Sequence, residues 1–396
     1  MTRASSAPVT ERVVEPTLGV STSNWIAPPY NRWGFHHVQD LTRTARISRG
    51  DGPVMELPRV EQDLGGFVFE HEGGRFSLEE MLERTYTDAF LVLREGAIRY
   101  ERYFGAMTEA DAHLLMSASK SLTSTLCGVL VARGALDPDD LVVSHLAELR
   151  GTAWDGCTVQ HLLDMRAGVA WDYEIDEYTI LDVSAYRTHV RDDIPRDTAA
   201  WIGSIGSELP HGGPFRYISL AIDTLGWVLE RAGGGTFATL FGREIWSGLG
   251  AERDAFIMVD GEGFSVVEGG VCTTLRDLAR FGQMCLSDGL VDDREVVPSE
   301  WLRRVTAPDP ELIAEFRASA EANPARPNAF YHDCWWIWDA EQGVHAASGM
   351  NGQTMVIHRP SRTVVVKFSS HPGALDAPLF ALQEAGMGAL CESFVG

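Results

Sequence analysis

Residues 116–124 read MSASKSLTS and lead into the apolar run LCGVLVARG. The chain has 33 lysine and arginine residues, and only Lys120 and Lys367 among them are lysine, so a lysine among four serines needs a chemical reason. Ser117 and Lys120 have the spacing i, i+3, which brings a hydroxyl and an ammonium to one face of a helix. A buried lysine amine can release its proton, whereas a guanidinium cannot. The pair therefore predicts a serine nucleophile activated by lysine.

A simpler interpretation of this stretch is a helix cap, with Lys120 on the solvated face of the helix. If Ser117 instead begins the helix as the nucleophile, its free backbone N–H can donate to a developing oxyanion. The scarcity of lysine and the candidates further along the chain favour the nucleophile. The serines at 119, 121 and 124 are then expected to pack or to cap.

Three further segments carry candidate residues. In FRYISLAIDTLGWVLER, Tyr217 and Ser219 precede an amphipathic helix, and a phenol near an ammonium can relay a proton; the alternative is an aromatic anchor. In ASGMNGQTMVIHRP, Met350 and Asn351 lie between two glycines where a strand begins, so the backbone could approach a substrate; the alternative is a turn. In EGGVCTT, Glu268 is either a site residue or part of a turn before a helix.

The order of predicted elements indicates the fold class. Residues 1–60 are rich in Pro, Arg and Ser and predict an arm packed on the body. DAFLVLREGAIRYERYF predicts a β-hairpin, and 61–145 with 261–396 predict one discontinuous α/β domain. Residues 146–260 predict a mainly helical domain that carries an active-site loop. The predicted class is α/β (α+β), with an antiparallel sheet flanked by helices and a mainly helical second region.

Composition narrows the function classes. The formal net charge of −23 disfavours nucleic acid and anionic membrane surfaces as partners. The N-terminus lacks the apolar core of a signal peptide, and no apolar run is long enough to span a bilayer, so a cytoplasmic location is expected. The cysteines are scattered and the histidines have no metal-binding spacing, so neither a metal nor a cofactor is expected.

In this order the motifs resemble those of the serine β-lactamase/penicillin-recognising superfamily, its class C branch in particular, which are S-x-x-K, Y-x-N and K-T-G. Tyr217–Ser219 matches the second with Ser in place of Asn, and Ala347–Gly349 matches the third without its lysine. The blocks PPYNRWGF, TYTDAFLVLR, HLLMSASKSL, GGVCTTLRDLAR and GMNGQ are similar to the aminohexanoate-oligomer (nylon-oligomer) hydrolases. This resemblance runs from about residue 20 to the C-terminus.

The resemblance implies a β-lactamase-like fold and a set of roles. Ser117 would be the nucleophile, Lys120 its general base and Tyr217 the proton relay to the leaving amine. The backbone N–H groups of Ser117 and Met350 would form the oxyanion hole.

The resemblance also implies substrate-binding residues. A second tyrosine on a mobile loop would close over the substrate, with Tyr178 the better match and Tyr173 the weaker one. Ser219, Glu268 and Asn351 would line the pocket.

Departures from the family pattern bear on the substrate. Ala347 stands where K-T-G has a lysine, which in lactam-recognising enzymes holds the substrate carboxylate. Asn351 stands where the aminohexanoate-oligomer group has His. The acidic residue that would meet the substrate's amino terminus falls within Asp182–Arg191, which is shorter here.

The predicted function is a serine hydrolase that cleaves small linear amides of the aminohexanoate-oligomer type through an acyl-enzyme. A carboxylesterase or transacylase on small esters is the alternative. A β-lactamase or peptidase and a non-catalytic acyl-binding module are less favoured. The expected partner is a small-molecule amide or ester, and a homodimer is left open.

Overall fold

The computed structural model describes residues 13–184 and 193–395. The strands of this part of the chain are β1 (Val13–Glu15), β2 (Val20–Ser21), β3 (Thr44–Ile47), β4 (Val68–His71), β5 (Gly74–Ser77), β6 (Thr87–Arg94), β7 (Ala97–Tyr103), β8 (His113–Leu114), β9 (Ala255–Met258), β10 (Val271–Thr273), β11 (Leu290–Val291), β12 (Arg294–Glu295), β13 (Phe330–His332), β14 (Trp335–Asp339), β15 (Val344–Gly349), β16 (Gln353–His358) and β17 (Thr363–Ser369).

The helices of the same residues are α1 (Asn31–Gly34), α2 (Val38–Leu41), α3 (Leu78–Arg84), α4 (Ser119–Ala132), α5 (Val142–His145), α6 (Val159–Leu163), α7 (Tyr173–Ser184), α8 (Thr198–Ser204), α9 (Ser219–Gly233), α10 (Phe237–Phe241), α11 (Ser247–Leu249), α12 (Leu275–Leu286), α13 (Ser299–Val305), α14 (Pro310–Arg317) and α15 (Ala377–Glu392). None of these helices is long and apolar enough to cross a membrane.

The main sheet is antiparallel and has the strand order β13-β14-β15-β16-β17-β6-β7. Alternate residues of its strand β6 point to opposite faces. Leu91 and Leu93 join one apolar cluster, while Phe90 and Val92 join another that includes residues of α15. Helices therefore cover both faces, which confirms the predicted antiparallel sheet flanked by helices.

Helix α4 runs through the larger core. Its residues from Ser119 to Leu130 are all buried, and Gly128 lies against the Trp301 ring, where a Cβ would come within 2.2 Å of a ring carbon. The helix ends before Gly134, which has φ +67°. This packing holds the residues at the start of α4 in place.

Between α5 and α11 the described residues are mostly helical. The prediction of a β-hairpin at β6 and β7 is confirmed, as is that of an amphipathic helix at α9, which ends at left-handed Gly234. The division into an arm, a discontinuous α/β domain and a helical domain stays a prediction, and its residues 1–12, 185–192 and 396 lie outside the described part.

Candidate active site

Ser117 lies at a sharp turn between a short strand and α4. Leu114 of β8 pairs with Cys272 of β10, and the Leu115 N–H donates to the Val271 carbonyl at 2.8 Å. Met116 then adopts a left-handed conformation with φ +48°, which costs energy for a non-glycine residue and often occurs at functional sites. The turn continues as a 3₁₀ helix at Met116–Ala118 directly into α4.

Lys120 lies beneath Ser117, and its side chain is 1% exposed. Its Nζ donates to Ser117 Oγ at 2.8 Å, to Ser219 Oγ at 3.0 Å, and to the Glu268 carbonyl and Oε2 at 2.8 and 3.1 Å. An ammonium has three N–H donors for these four acceptors. The predicted serine–lysine contact is therefore present, within a crowded polar cluster.

Glu177 of α7 approaches the same cluster through Ser219. The Ser219 hydroxyl and backbone N–H donate to its two carboxylate oxygens at 2.7 and 3.0 Å, and Trp171 Nε1 donates at 3.1 Å. The carboxylate also lies at the N-terminus of α9, where negative charge is favourable. Burial nevertheless dominates and raises the pKa of Glu177 to about 7.

Two more buried carboxyl groups lie behind Lys120. The Glu268 N–H donates to Asp223 Oδ1 at 3.1 Å. Burial and the neighbouring Glu268 raise the pKa of Asp223 well above its ordinary value. Glu268 Oε1 and Asp223 Oδ2 have no hydrogen-bond partner among the described residues. One ammonium thus faces three buried carboxyl groups.

These neighbours decide the protonation of Lys120. Burial alone would lower its pKa, but Tyr217, Glu268 and Glu177 outweigh burial and hold the pKa above its ordinary value. The sequence predicts a buried amine that can release its proton, whereas these neighbours favour the ammonium form. That ammonium would have to lose a proton before it could act as the predicted base.

Tyr217 covers the cluster on the cavity side. The Lys120 ammonium lies 5.0 Å from the centre of its ring. Burial raises the pKa of Tyr217 to about 12, although Lys120 and a hydrogen bond with Ser117 oppose this rise. At neutral pH its hydroxyl is therefore a proton donor and not a phenolate.

The end of β15 packs directly against the Ser117 turn. A Cβ on Gly349 would lie 2.4 Å from the Leu115 carbonyl oxygen and 2.8 Å from the Ser117 nitrogen, so only glycine permits this approach. Met350 follows Gly349, and Ser117, Gly349 and Met350 line one cavity. The two backbone segments predicted to form an oxyanion hole thus meet at that cavity.

The cavity has a volume of about 420 Å³, which is the size range of small-molecule sites. Its lining is mainly apolar and aromatic and includes Tyr173, Tyr217, Phe316, Phe330, Trp336 and Trp338. Its charged lining residues are Glu321, Arg326 and Glu384. Ser117 is thus accessible from a largely apolar cavity.

The structure reverses the predicted ranking of the two tyrosines. Tyr173 lines the cavity, with its ring centre 6.2 Å from that of Tyr217 in an edge-on arrangement. Tyr178 is 46% exposed and lies outside the lining. The physical reason is that 173–184 form a helix, not a loop, so that Tyr173, Glu177 and Ile180 share the inner face.

Three other predicted substrate-binding residues have different surroundings. Ser219 is fully buried and bridges Lys120 to Glu177. Glu268 binds Lys120 and lines only a cavity of about 10 Å³ beside Ser117. The Asn351 side chain donates to the His371 carbonyl at 2.8 Å, and its backbone is left-handed. The structure corrects these positions, because none of the three side chains lies on the wall of the large cavity.

Several residues of the site and of the cavity wall were not predicted from the sequence. Glu177 could have been found by treating 173–184 as a helix, whose inner face it shares with Tyr173. Trp336 stacks on Tyr217 at 5.7 Å, but nothing in a strand rich in tryptophan indicates which ring faces the site. The stretch Asp182–Arg191, where the resemblance placed an acidic residue, lies mostly outside the described residues.

In the described part of the chain one group of side chains, Asp164, His332 and Asp333, has the geometry of a metal site. Arg304 donates to both carboxylate oxygens of Asp333 at 2.8 Å, and His332 Nδ1 lies 2.8 Å from Asp164. This ion-pair network accounts for the group without a metal.

Comparison with known proteins agrees with this geometry. The beta-lactamase family matches residues 78–381. The 6-aminohexanoate-dimer hydrolase of Paenarthrobacter ureafaciens is 36% identical over 90% of this chain and 89% of its own length. Esterase EstB of Burkholderia gladioli is 31% identical over 44% of this chain and 48% of its own.

A solved structure from Bacillus anthracis, whose description proposes a 6-aminohexanoate-dimer hydrolase, superposes with a TM-score of 0.86 at 25% identity. It covers 94% of this chain and 96% of its own. The fold class and the family resemblance predicted from the motifs are therefore confirmed, and the chain belongs to the beta-lactamase family of hydrolases.

Proposed function

We propose that the chain is a Ser–Lys–Tyr hydrolase that cleaves small linear amides through an acyl-enzyme. The observation that carries this proposal is the 2.8 Å contact between Lys120 Nζ and Ser117 Oγ at a largely apolar cavity that Tyr217 also lines. The relative named for an aminohexanoate dimer supports an amide substrate. The relative named as an esterase makes small esters the second candidate.

Ser117 Oγ attacks the substrate carbonyl in this mechanism. The new C–O bond pushes charge onto the carbonyl oxygen, which the backbone N–H groups of Ser117 and Met350 stabilise. The Ser117 proton passes to Lys120 once that ammonium has given its own proton to Ser219, which passes one on to Glu177. This path follows contacts of 2.8, 3.0 and 2.7 Å.

Collapse of the tetrahedral intermediate breaks the C–N bond. Tyr217 protonates the leaving amine and regains a proton from Lys120. Water then attacks the acyl-enzyme and gives one proton back to Ser117 Oγ, while the proton held by Glu177 returns through Ser219 to Lys120. The products are one amine and one carboxylic acid, and every side chain regains its starting protonation. An ester follows the same steps with an alcohol as leaving group.

The proton path predicts a pH dependence. Glu177 must be ionised to accept a proton, so kcat/KM is expected to rise with pH through about 7. Glu177→Gln cannot accept a proton and is expected to lose this rise and to lower kcat/KM about 100-fold. The check is a pH profile of both proteins between pH 5 and 9. A variant that kept the same rise would remove Glu177 from the path.

The groups that face Glu177 come from five elements or connections and bear on that profile. They are Lys120 of α4, Ser219 of α9, Glu268, Trp171 and Tyr173. Because Lys120 and Glu177 titrate as a coupled pair, the profile reports the pair.

The choice between amides and esters is testable at Tyr173. Burial and Glu177 raise the pKa of Tyr173, so its hydroxyl stays protonated and can donate to a leaving nitrogen. Tyr173→Phe is expected to lower kcat/KM about 10-fold for a linear aminohexanoate dimer and to affect a p-nitrophenyl ester much less, since phenolate needs no such donor. Tyr178→Phe, on the exposed face of the same helix, is the matched control. Equal losses on both substrates would argue against amide specialisation.

A further inference from the structure

The charged side chains that line the large cavity do not all neutralise one another. Arg326 donates to Glu384 at 2.6 Å, and its guanidinium lies 3.8 Å from the Trp338 ring centre. That pair is self-contained, since the guanidinium and carboxylate neutralise each other. Glu321 is then the uncompensated charge among the described residues that line the cavity.

Glu321 is half-buried in the segment that follows α14. Its backbone N–H donates to Ser319 Oγ at 3.2 Å, but its carboxylate has no hydrogen-bond or ion-pair partner in the described chain. Its neighbours in the lining are apolar or aromatic, including Phe316 and Tyr173. Burial raises its pKa, which means that the ionised form is disfavoured until a cation approaches.

An unpaired carboxylate in an apolar wall is costly unless a partner arrives. Tyr173 feels the charge of Glu321 and also lies edge-on against Tyr217. One wall of the cavity therefore leads from Glu321 past Tyr173 to Tyr217 and Ser117. A ligand with a cationic end at Glu321 would have its other end near the nucleophile.

We propose that Glu321 binds the cationic end of the substrate, an alkylammonium group, in the cavity that also holds Ser117. This inference rests on the proposed function for its identification of the ligand as a substrate. It names a substrate class: short amides and esters with an aliphatic chain that ends in a primary amine. The neutral analogue lacks the ion pair and should bind more weakly.

The first test measures binding without turnover. Hexylammonium and hexan-1-ol are titrated by calorimetry into Ser117→Ala and into the double variant with Glu321→Gln. The single variant is expected to prefer hexylammonium by about 10- to 100-fold, and the double variant to lose that preference. Equal affinity for both ligands in the Ser117→Ala protein, or binding of neither, would overturn the proposal.

The second test uses turnover of two matched esters, p-nitrophenyl 6-aminohexanoate and p-nitrophenyl hexanoate. Glu321→Gln is expected to raise KM about 10-fold for the amino ester and to change KM for the neutral ester much less. Glu315→Gln on α14, outside the cavity lining, is the matched control and should behave as the unmodified protein. Equal KM changes for both esters in Glu321→Gln would indicate a merely structural residue.

The two tests separate the subsite from the hydrolase. If the unmodified protein hydrolyses neither ester, the proposed function fails, while the calorimetric preference still decides whether Glu321 binds ammonium. If the esters are hydrolysed but the protein does not prefer hexylammonium to hexan-1-ol, the proposed function stands and the proposed subsite is wrong.

Discussion

Ser117→Ala is expected to lower hydrolysis of both the aminohexanoate dimer and a p-nitrophenyl ester by on the order of 10⁴-fold or more, because loss of a serine nucleophile removes the covalent pathway. Lys120 would keep its bonds to Ser219 and Glu268, so the fold is expected to survive. The measurement is kcat/KM for both substrates, together with labelling by a fluorophosphonate probe. Labelling should vanish with turnover.

Ser124→Ala is the matched control for this variant. Ser124 lies on α4, one of the serines that follow Ser117. It is fully buried, and its hydroxyl has no hydrogen-bond partner in the described chain. Its removal should leave both turnover and labelling intact. If Ser117→Ala still formed a covalent adduct at the active site, or kept more than a hundredth of the activity, Ser117 would not be the nucleophile.

The sheet and the long helices could be predicted because their patterns are local. The strand pattern of β6 and β7 is visible in residues 87–103, and the glycines at 134 and 234 mark the ends of α4 and α9. The pairing of β17 with β6 joins residues that are far apart in sequence, and no local pattern specifies it. Such long-range pairing needs the family resemblance or a structure.

The contacts of the site also divide into those that local spacing predicts and those that it does not. Ser117 and Lys120 lie one helical turn apart, so their contact follows from spacing alone. The contacts of Lys120 with Glu268 and of Ser219 with Glu177 join separate elements, and they reverse the protonation that burial alone would predict. The two tyrosines could not be ranked without knowing that 173–184 form a helix. They are five residues apart, which at about 100° per residue places their side chains about 140° apart around the helix axis.

Catalysis alone does not explain where this chain uses lysine, because its other lysine is also buried. Lys367 on β17 is also fully buried, and its Nζ donates to the Thr85 carbonyl, Ser369 Oγ and Gln383 Oε1. Burial lowers its pKa to about 7. Both lysines of this chain are therefore interior, and the two differ in what surrounds them. Lys367 meets neutral acceptors, whereas Lys120 meets carboxylates and the nucleophile.

Lys120→Arg is expected to lower kcat/KM by about 10³-fold, because a guanidinium keeps its proton and cannot accept one from Ser117. Lys120→Met should lose as much activity and also destabilise the fold, since removing the cation leaves buried carboxylates unpaired at a cost of about 3 kcal/mol. Urea unfolding and turnover, measured for both variants, separate these effects. Arginine retains the positive charge, so Lys120→Arg should lose less stability than Lys120→Met. The loss of activity of Lys120→Arg should then be larger than its loss of stability can explain.

Lys367→Met is the matched control, since it removes the other buried amine, whose hydrogen-bond partners Thr85, Ser369 and Gln383 are not those of Lys120. It is expected to lower stability through the acceptors that it leaves unpaired, and to leave kcat unchanged in the folded fraction. The contrast decides what the lysine at 120 is for. An active Lys120→Arg protein would mean that only its positive charge matters, and the proton path through Ser219 to Glu177 would then have no role in activating Ser117.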